Sequence, residues 1–341
     1  MGVKVVKKTF KCALALAFLS TSLCAGTVQA GAQPLDFGVQ SGVQWGVEPC
    51  VQTSAPVASD LLAKADVKYV DTLQADAFFT ARVMQQQSGL LESGQAVEDC
   101  IYGRISFSKA RKIVRLVLQN GDATASEMER YQAKSPSHLG AAAIKLWAAQ
   151  RKVLVKTDDL LATGKVERPA LKEFQSESEV LTKGVVSVWL DAKLARAQAG
   201  KTAAPQGAQA YYAWSCQTLP IQKNLCNLNG RLLAMSSDSA NGKRITASSA
   251  QALRQDIMGQ LRLLEAMQPA ASVAQAHKCL IAEVKALDRL TEAVVLLDSD
   301  PTPDASSRLE RCNRALRGCS LQSGIQNLEA LKACCNVAKG K

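Results

Sequence analysis

Histidine is nearly missing from this chain: His138 and His277 are the only two in 341 residues. Aromatic residues make up 5%. There is no G-x-S-x-G elbow, no Gly-rich phosphate loop, no H-E-x-x-H motif and no C-x-x-C pair. These absences remove the usual local marks of hydrolase, nucleotide, zinc and dithiol chemistry. General acid–base work would fall to carboxylates, and no local spacing singles out a pair of them. His138 follows Ser135-Pro136-Ser137 at a helix start and reads as a surface residue. His277 and Cys279 stand two apart, which on a helix points them about 200° from one another, so they do not chelate one ion. No metal and no cofactor is expected. The scarcity of aromatics beside the arginines argues against nucleic acid, because nothing offers its bases a stacking platform.

Long charge-free apolar runs are lacking too. The apolar stretch Leu280–Leu297 is broken by Glu283, Lys285, Asp288, Arg289 and Glu292, which excludes it as a membrane span.

What is present begins with export. Lys4, Lys7, Lys8 and Lys11 precede an apolar run from Cys12 to Leu19, and Val28-Gln29-Ala30 supplies small residues at −3 and −1. This is the layout of a secretory signal peptide, with cleavage expected after Ala30. Leu23 before Cys24 speaks against a lipoprotein signal. The formal net charge of +11 is partly this segment: setting its four lysines aside leaves 37 bases against 30 acids, or +7. The mature chain is therefore expected in the periplasm or outside the cell, and its Ala- and Gln-rich texture points to a bacterial source.

An exported chain meets an oxidising compartment, where cysteines read as disulfides. After the signal nine remain: Cys50, Cys100, Cys216, Cys226, Cys279, Cys312, Cys319, Cys334 and Cys335. Nine is odd, so at least one thiol is left over. Cys50 is expected to pair with Cys100, and two bridges are expected among the last five cysteines. Adjacent Cys334 and Cys335 then take different partners.

Residues 34–49 alternate. Leu35, Phe37, Val39, Val43, Trp45 and Val47 are separated by polar residues and glycines, with a micro-repeat Gly38-Val39-Gln40, Gly42-Val43-Gln44, Gly46-Val47-Glu48. Period-two alternation marks an extended segment, and glycine every fourth residue opposes a helix. No later segment offers it a strand. It reads as an arm laid over the helices and tied down at Cys50, or as a strand donated to a partner's sheet edge.

From Pro56 onward the pattern is helical. Helices are expected over 57–88, 90–103 and 106–119, then a break at Asn120-Gly121-Asp122, then 124–134. Ser135-Pro136 opens the next, to about 156. Pro169 opens a long one with the stripe Leu171, Phe174, Ser178, Leu181, Val185, Val188, Ala192, Ala195 and Ala199. Residues 210–236, 247–267 and 270–298 follow, and Thr302-Pro303-Asp304 reads as a further helix start. In 270–298 the stripe passes through Glu283, and the helical period is expected to give Val284 the core and Glu283 the edge.

The resulting expectation is an all-α fold: antiparallel helical bundles with an extended N-terminal arm and a disulfide-rich C-terminal helical hairpin. Its parts are the signal (1–30), the arm (31–55), a bundle (56–200), a linker (201–209), a second bundle (210–300) and the hairpin (301–341). Two basic runs stand out: Lys109, Arg111, Lys112 and Arg115, and Arg308, Arg311, Arg314 and Arg317. The second drifts around its helix as a broad basic face that could meet an anionic surface. Its plainer reading is a solvated face with Glu310 and Arg314 paired at i, i+4. Together these features suggest a non-enzymatic interaction or scaffold protein of the cell envelope, with other envelope proteins as partners. A ligand- or metal-binding module using an inter-helix cavity or the C-terminal thiols is the second reading, and an enzyme with a spatially assembled site the third.

Overall fold

The computed structural model describes residues 67–164, 184–204, 206–240 and 243–338, together with Ser178. The signal, its cleavage point, Cys50 and the alternating arm lie outside the described residues. Among those described there are eight α-helices, one 3-10 turn and no strand. The helices are α1 (Val67–Ile101), α2 (Phe107–Lys134), α3 (His138–Ala162), α4 (Val186–Ala203), α5 (Gln206–Ala240), α6 (Ala247–Glu265), α7 (Ala274–Ser299) and α8 (Pro303–Ala338). The all-α class is as expected.

Short polar residues start several of the helices. Ser106 accepts the Lys109 N–H, Ser137 that of Gly140 and Thr246 that of Ser249. Thr302 accepts from Ala305 with Pro303 in first helical place, so the Thr302-Pro303-Asp304 signal reads correctly. The helix expected from Pro136 starts two residues later, at His138, because the Gln132 amide clamps both backbone groups of Ser137 and holds it outside the helix as its cap.

Two expected breaks are absent. α1 runs through 89, and α2 runs through Asn120-Gly121-Asp122. The reason is packing. A Cβ on Gly121 would lie 1.9 Å from the Trp147 ring, and one on Gly89 would lie 2.7 Å from Val117. These glycines let helices approach closely. Asp122 completes the contact, accepting from the Trp147 indole N–H at 2.9 Å and from Arg151.

The C-terminal hairpin is corrected most plainly: residues 303–338 form one 36-residue helix. Each helix packs on the next in the chain, and α8 returns to lie against α1 and α5 as well as α7. One apolar core runs from Leu73 to Cys335 without interruption. α4 and α5 pack closely, with Gly200 against the Tyr212 ring. The buried stripe of α4 is Val186, Trp189, Leu190, Ala197 and Gly200, while Val188 is 48% exposed. The stripe read from sequence was thus rotated, because Trp189 commands the core-facing side.

The single helix α8 also explains the cysteines. Cys312 and Cys319 are seven residues apart, about 10 Å along a helix, beyond the ~7 Å span of a disulfide. A hairpin would have folded the C-terminal cysteines together; a continuous helix spreads them. Cys100, Cys216, Cys279, Cys312, Cys319, Cys334 and Cys335 carry thiols. The expected Cys50–Cys100 bridge and the two bridges among the last five are therefore not formed. Cys226 is disulfide-bonded, and no two described cysteines are joined to each other.

Candidate functional site

The densest gathering of buried polar groups lies where α1, α4, α5 and α8 meet. Asp76 of α1 is buried and uses one oxygen, Oδ2, to accept from the Arg196 Nε at 2.6 Å and the Tyr212 hydroxyl at 2.8 Å. The Arg196 guanidinium also lies 5.7 Å from the Tyr212 ring centre. Burial raises the Asp76 carboxyl above its ordinary range, against the downward pull of Arg196 and Tyr212. One turn before Arg196, the Lys193 Nζ sits 5.8 Å from the Trp189 ring centre. Burial lowers its ammonium to about 8, with Asp76 pulling the other way. Tyr211 donates to the Asn327 Oδ1 at 2.8 Å, and burial pushes its phenol up. Beside it Cys334 is pushed up to about 12, chiefly by burial, and Cys335 donates to the Leu73 carbonyl at 3.5 Å. A cavity of about 20 Å³ lies among Asp76, Thr80, Lys193, Arg196 and Ser215. It holds a water-sized occupant and no organic substrate.

A second buried carboxyl lies in the seam of α7 and α8. Glu283 is 4% exposed and Val284 fully buried. The expectation that Val284 would displace Glu283 to the edge fails because α5, α6 and α8 all pack on α7, leaving little edge. Hydroxyls of Ser320 and Ser323 bond the Glu283 carboxyl, while its Oε1 has no hydrogen-bond partner. Burial raises this group to about 7.

The basic runs are mostly tied up. Arg111 and Arg115 both bind Asp158, joining α2 to α3. Lys109 and Lys112 are exposed. On α8, Arg308 pairs with Glu292 and Arg314 with Glu310, while Arg311 is exposed. Arg317 does not belong to that face: it is buried and bonded to Glu98 of α1 and to the Gln95 Oε1. A row spaced by three drifts around a helix, and by its fourth member this one has turned into the core.

The histidines divide as expected for His138, which is exposed. His277 is buried between three elements. Its Nδ1 accepts from the Trp214 indole N–H at 3.3 Å, and its Nε2 lies 3.0 Å from the Leu264 carbonyl. Both ring nitrogens are thus engaged, and the ring pegs α5 to the end of α6. Burial raises the thiols of Cys100, Cys216, Cys312 and Cys319, so none is activated as a thiolate. Among the described residues no three His, Cys, Asp or Glu side chains converge to hold a metal ion.

An open groove of about 800 Å³ runs along α6 and α7. Its floor is Ala247, Ala250, Met258, Val295 and Leu296, and its rim carries Arg254, Arg262 and Glu292. Arg254 is held by both oxygens of Asp288. Of the buried residues of α6, Leu253, Ile257, Leu261 and Leu264 do not line the groove, while Ala250 does.

The residues of the α1–α4–α5–α8 junction escape sequence reading. Asp76, Lys193, Arg196 and Tyr212 come from three distant segments, and only the Lys193/Arg196 spacing hints at a shared face. No helix of the described residues is long and apolar enough to cross a membrane. Comparison with protein-family models, curated proteins and solved structures finds no match for this chain.

Proposed function

We propose that the protein is an exported, non-enzymatic interaction protein of the bacterial cell envelope, and that it receives a helical segment of a partner in the α6–α7 groove. The observation that carries this reading is the groove. From Ala247 to Arg262 it runs roughly 22 Å, the length of about four helical turns, over a floor of small and apolar side chains with charged rims. That is the form of a helix-in-groove receptor. The basic N-terminus, apolar run and Ala30 site support export.

Cell fractionation and partner binding test the two halves. The mature chain is expected in the exported fraction, beginning after Ala30. Met258→Arg with Leu296→Arg is expected to weaken partner binding at least tenfold, as measured by calorimetry with the co-purified envelope partner, while the thermal midpoint stays put. Retention of the intact chain in the cytoplasm would overturn export. Undiminished binding by the double variant would overturn the groove.

A further inference from the structure

One covalent bond leads out of the described residues. Cys226 of α5 is disulfide-bonded, while Cys100, Cys216, Cys279, Cys312, Cys319, Cys334 and Cys335 carry thiols. The chain has eleven cysteines, so the partner of Cys226 is Cys12, Cys24 or Cys50. Cys12 and Cys24 precede Ala30 and leave with the export signal. We propose that Cys50 and Cys226 form the structural disulfide of the mature protein, fastening the alternating segment 34–49 to α5. The assignment rests on export and on the cut after Ala30. It replaces the Cys50–Cys100 pairing expected from sequence.

The chain is long enough for this bond. Asp76 of α1 meets Tyr212 of α5. Along the helices Val67 lies about 14 Å from Asp76, and Cys226 about 21 Å from Tyr212. Even laid end to end, with a further ~10 Å between helix axes, these lengths come to about 45 Å. An extended chain from residue 50 to residue 67 spans roughly 56 Å. Tyr212, Leu219, Cys226 and Leu233 recur at steps of seven and are all buried, on the stripe that meets α4 through Tyr212 and Gly200. Lys223 pairs with Asp191, which sets Cys226 level with the start of α4. Asn224, two residues away and so on the opposite side of α5, bonds Gln260 of α6. The bridge and the α6–α7 groove therefore lie on different sides of α5, and a tethered arm leaves the groove open. The oxidation is an exchange. The Cys50 thiolate attacks a protein disulfide of the oxidising compartment, and the Cys226 thiolate then displaces the mixed disulfide. Each cysteine gives up a proton, and the oxidant takes both electrons and leaves as a dithiol.

Trypsin has no site within residues 31–64 or within 224–231. The full chain, alkylated and digested without reduction, is expected to yield these two peptides joined, and to release them separately on reduction. Since the first peptide begins at the export cut, one species reports the cut and the bridge independently. Recovery of 31–64 and 224–231 unlinked, each alkylated, would overturn the bridge and leave export standing. An uncut chain would give a peptide beginning at Cys12 and overturn export. Fragmentation that places the bond on Cys12 or Cys24 would then overturn the bridge as well, while a bond on Cys50 would uphold it. Cys100→Ala is expected to keep the linked pair. Cys50→Ala, which alters no helix residue, is expected to open Cys226 to alkylation in the unfolded chain and to lower the thermal midpoint by about 5 °C. A midpoint unmoved by Cys50→Ala would overturn the structural role.

Discussion

One turn of α8 handles two buried carboxylates in opposite ways. At Arg317 it faces α1 and gives Glu98 a guanidinium; at Ser320 it faces α7 and gives Glu283 only hydroxyls. Burial raises both carboxyls. For Glu98, Arg317 pulls back; for Glu283 the serines pull back weakly and the group settles near 7. The α1 seam is thus an ion-pair clasp, whose halves each depend on the other. The α7 seam is a titrating contact within the neutral range. Burial alone does not decide what a buried acid does; the single residue opposite it does.

The contrast can be broken at several points. Arg317→Met takes the guanidinium from buried Glu98, leaving it with the Asn313 amide as donor, and should cost about 3–5 kcal/mol in denaturant unfolding. Adding Glu98→Leu to that variant should recover most of the loss. The Glu283 seam predicts a pH slope instead. Its folded value of about 7 exceeds the ordinary 4.5, so the native state keeps a proton that the unfolded chain releases. Stability should therefore fall as pH rises from 4.5 toward 7, by about 3 kcal/mol, and level off above. Unfolding at both ends of that window should show the slope in the wild type and its loss in Glu283→Gln. Gly121→Ala should cost about 1–3 kcal/mol by driving a methyl into Trp147. Arg314→Ala, which removes an exposed partner of Glu310, should change stability by less than about 0.5 kcal/mol.

Much of the helical frame was legible because it rests on local signals. The capping Thr302 before Pro303, the apolar stripe of α7 and the break expected between residues 267 and 270 all depend on neighbours in sequence. What misled was local chemistry serving distant contacts. Asn120-Gly121-Asp122 looks like a turn, yet each departure from a good helix former there is spent on Trp147 and Arg151. Thr302-Pro303-Asp304 was read as opening a hairpin, but nothing in α8 interrupts the helix once begun. The candidate junction is illegible in sequence, since Asp76 finds Arg196 and Tyr212 only after α1, α4 and α5 have come together.

The return of α8 to α1 sets an order of events. Glu98 and Arg317 are 219 residues apart in the chain. At synthesis rates of about 5–20 residues per second Glu98 waits roughly 10 to 40 s before its partner exists. Throughout that interval the seam that α8 will cover stands open on the nascent chain, with an acid awaiting its cation and the Met84 patch awaiting Leu328. The clasp closes from α8, so a chain cut short before α8 lacks it however well α1 to α7 form.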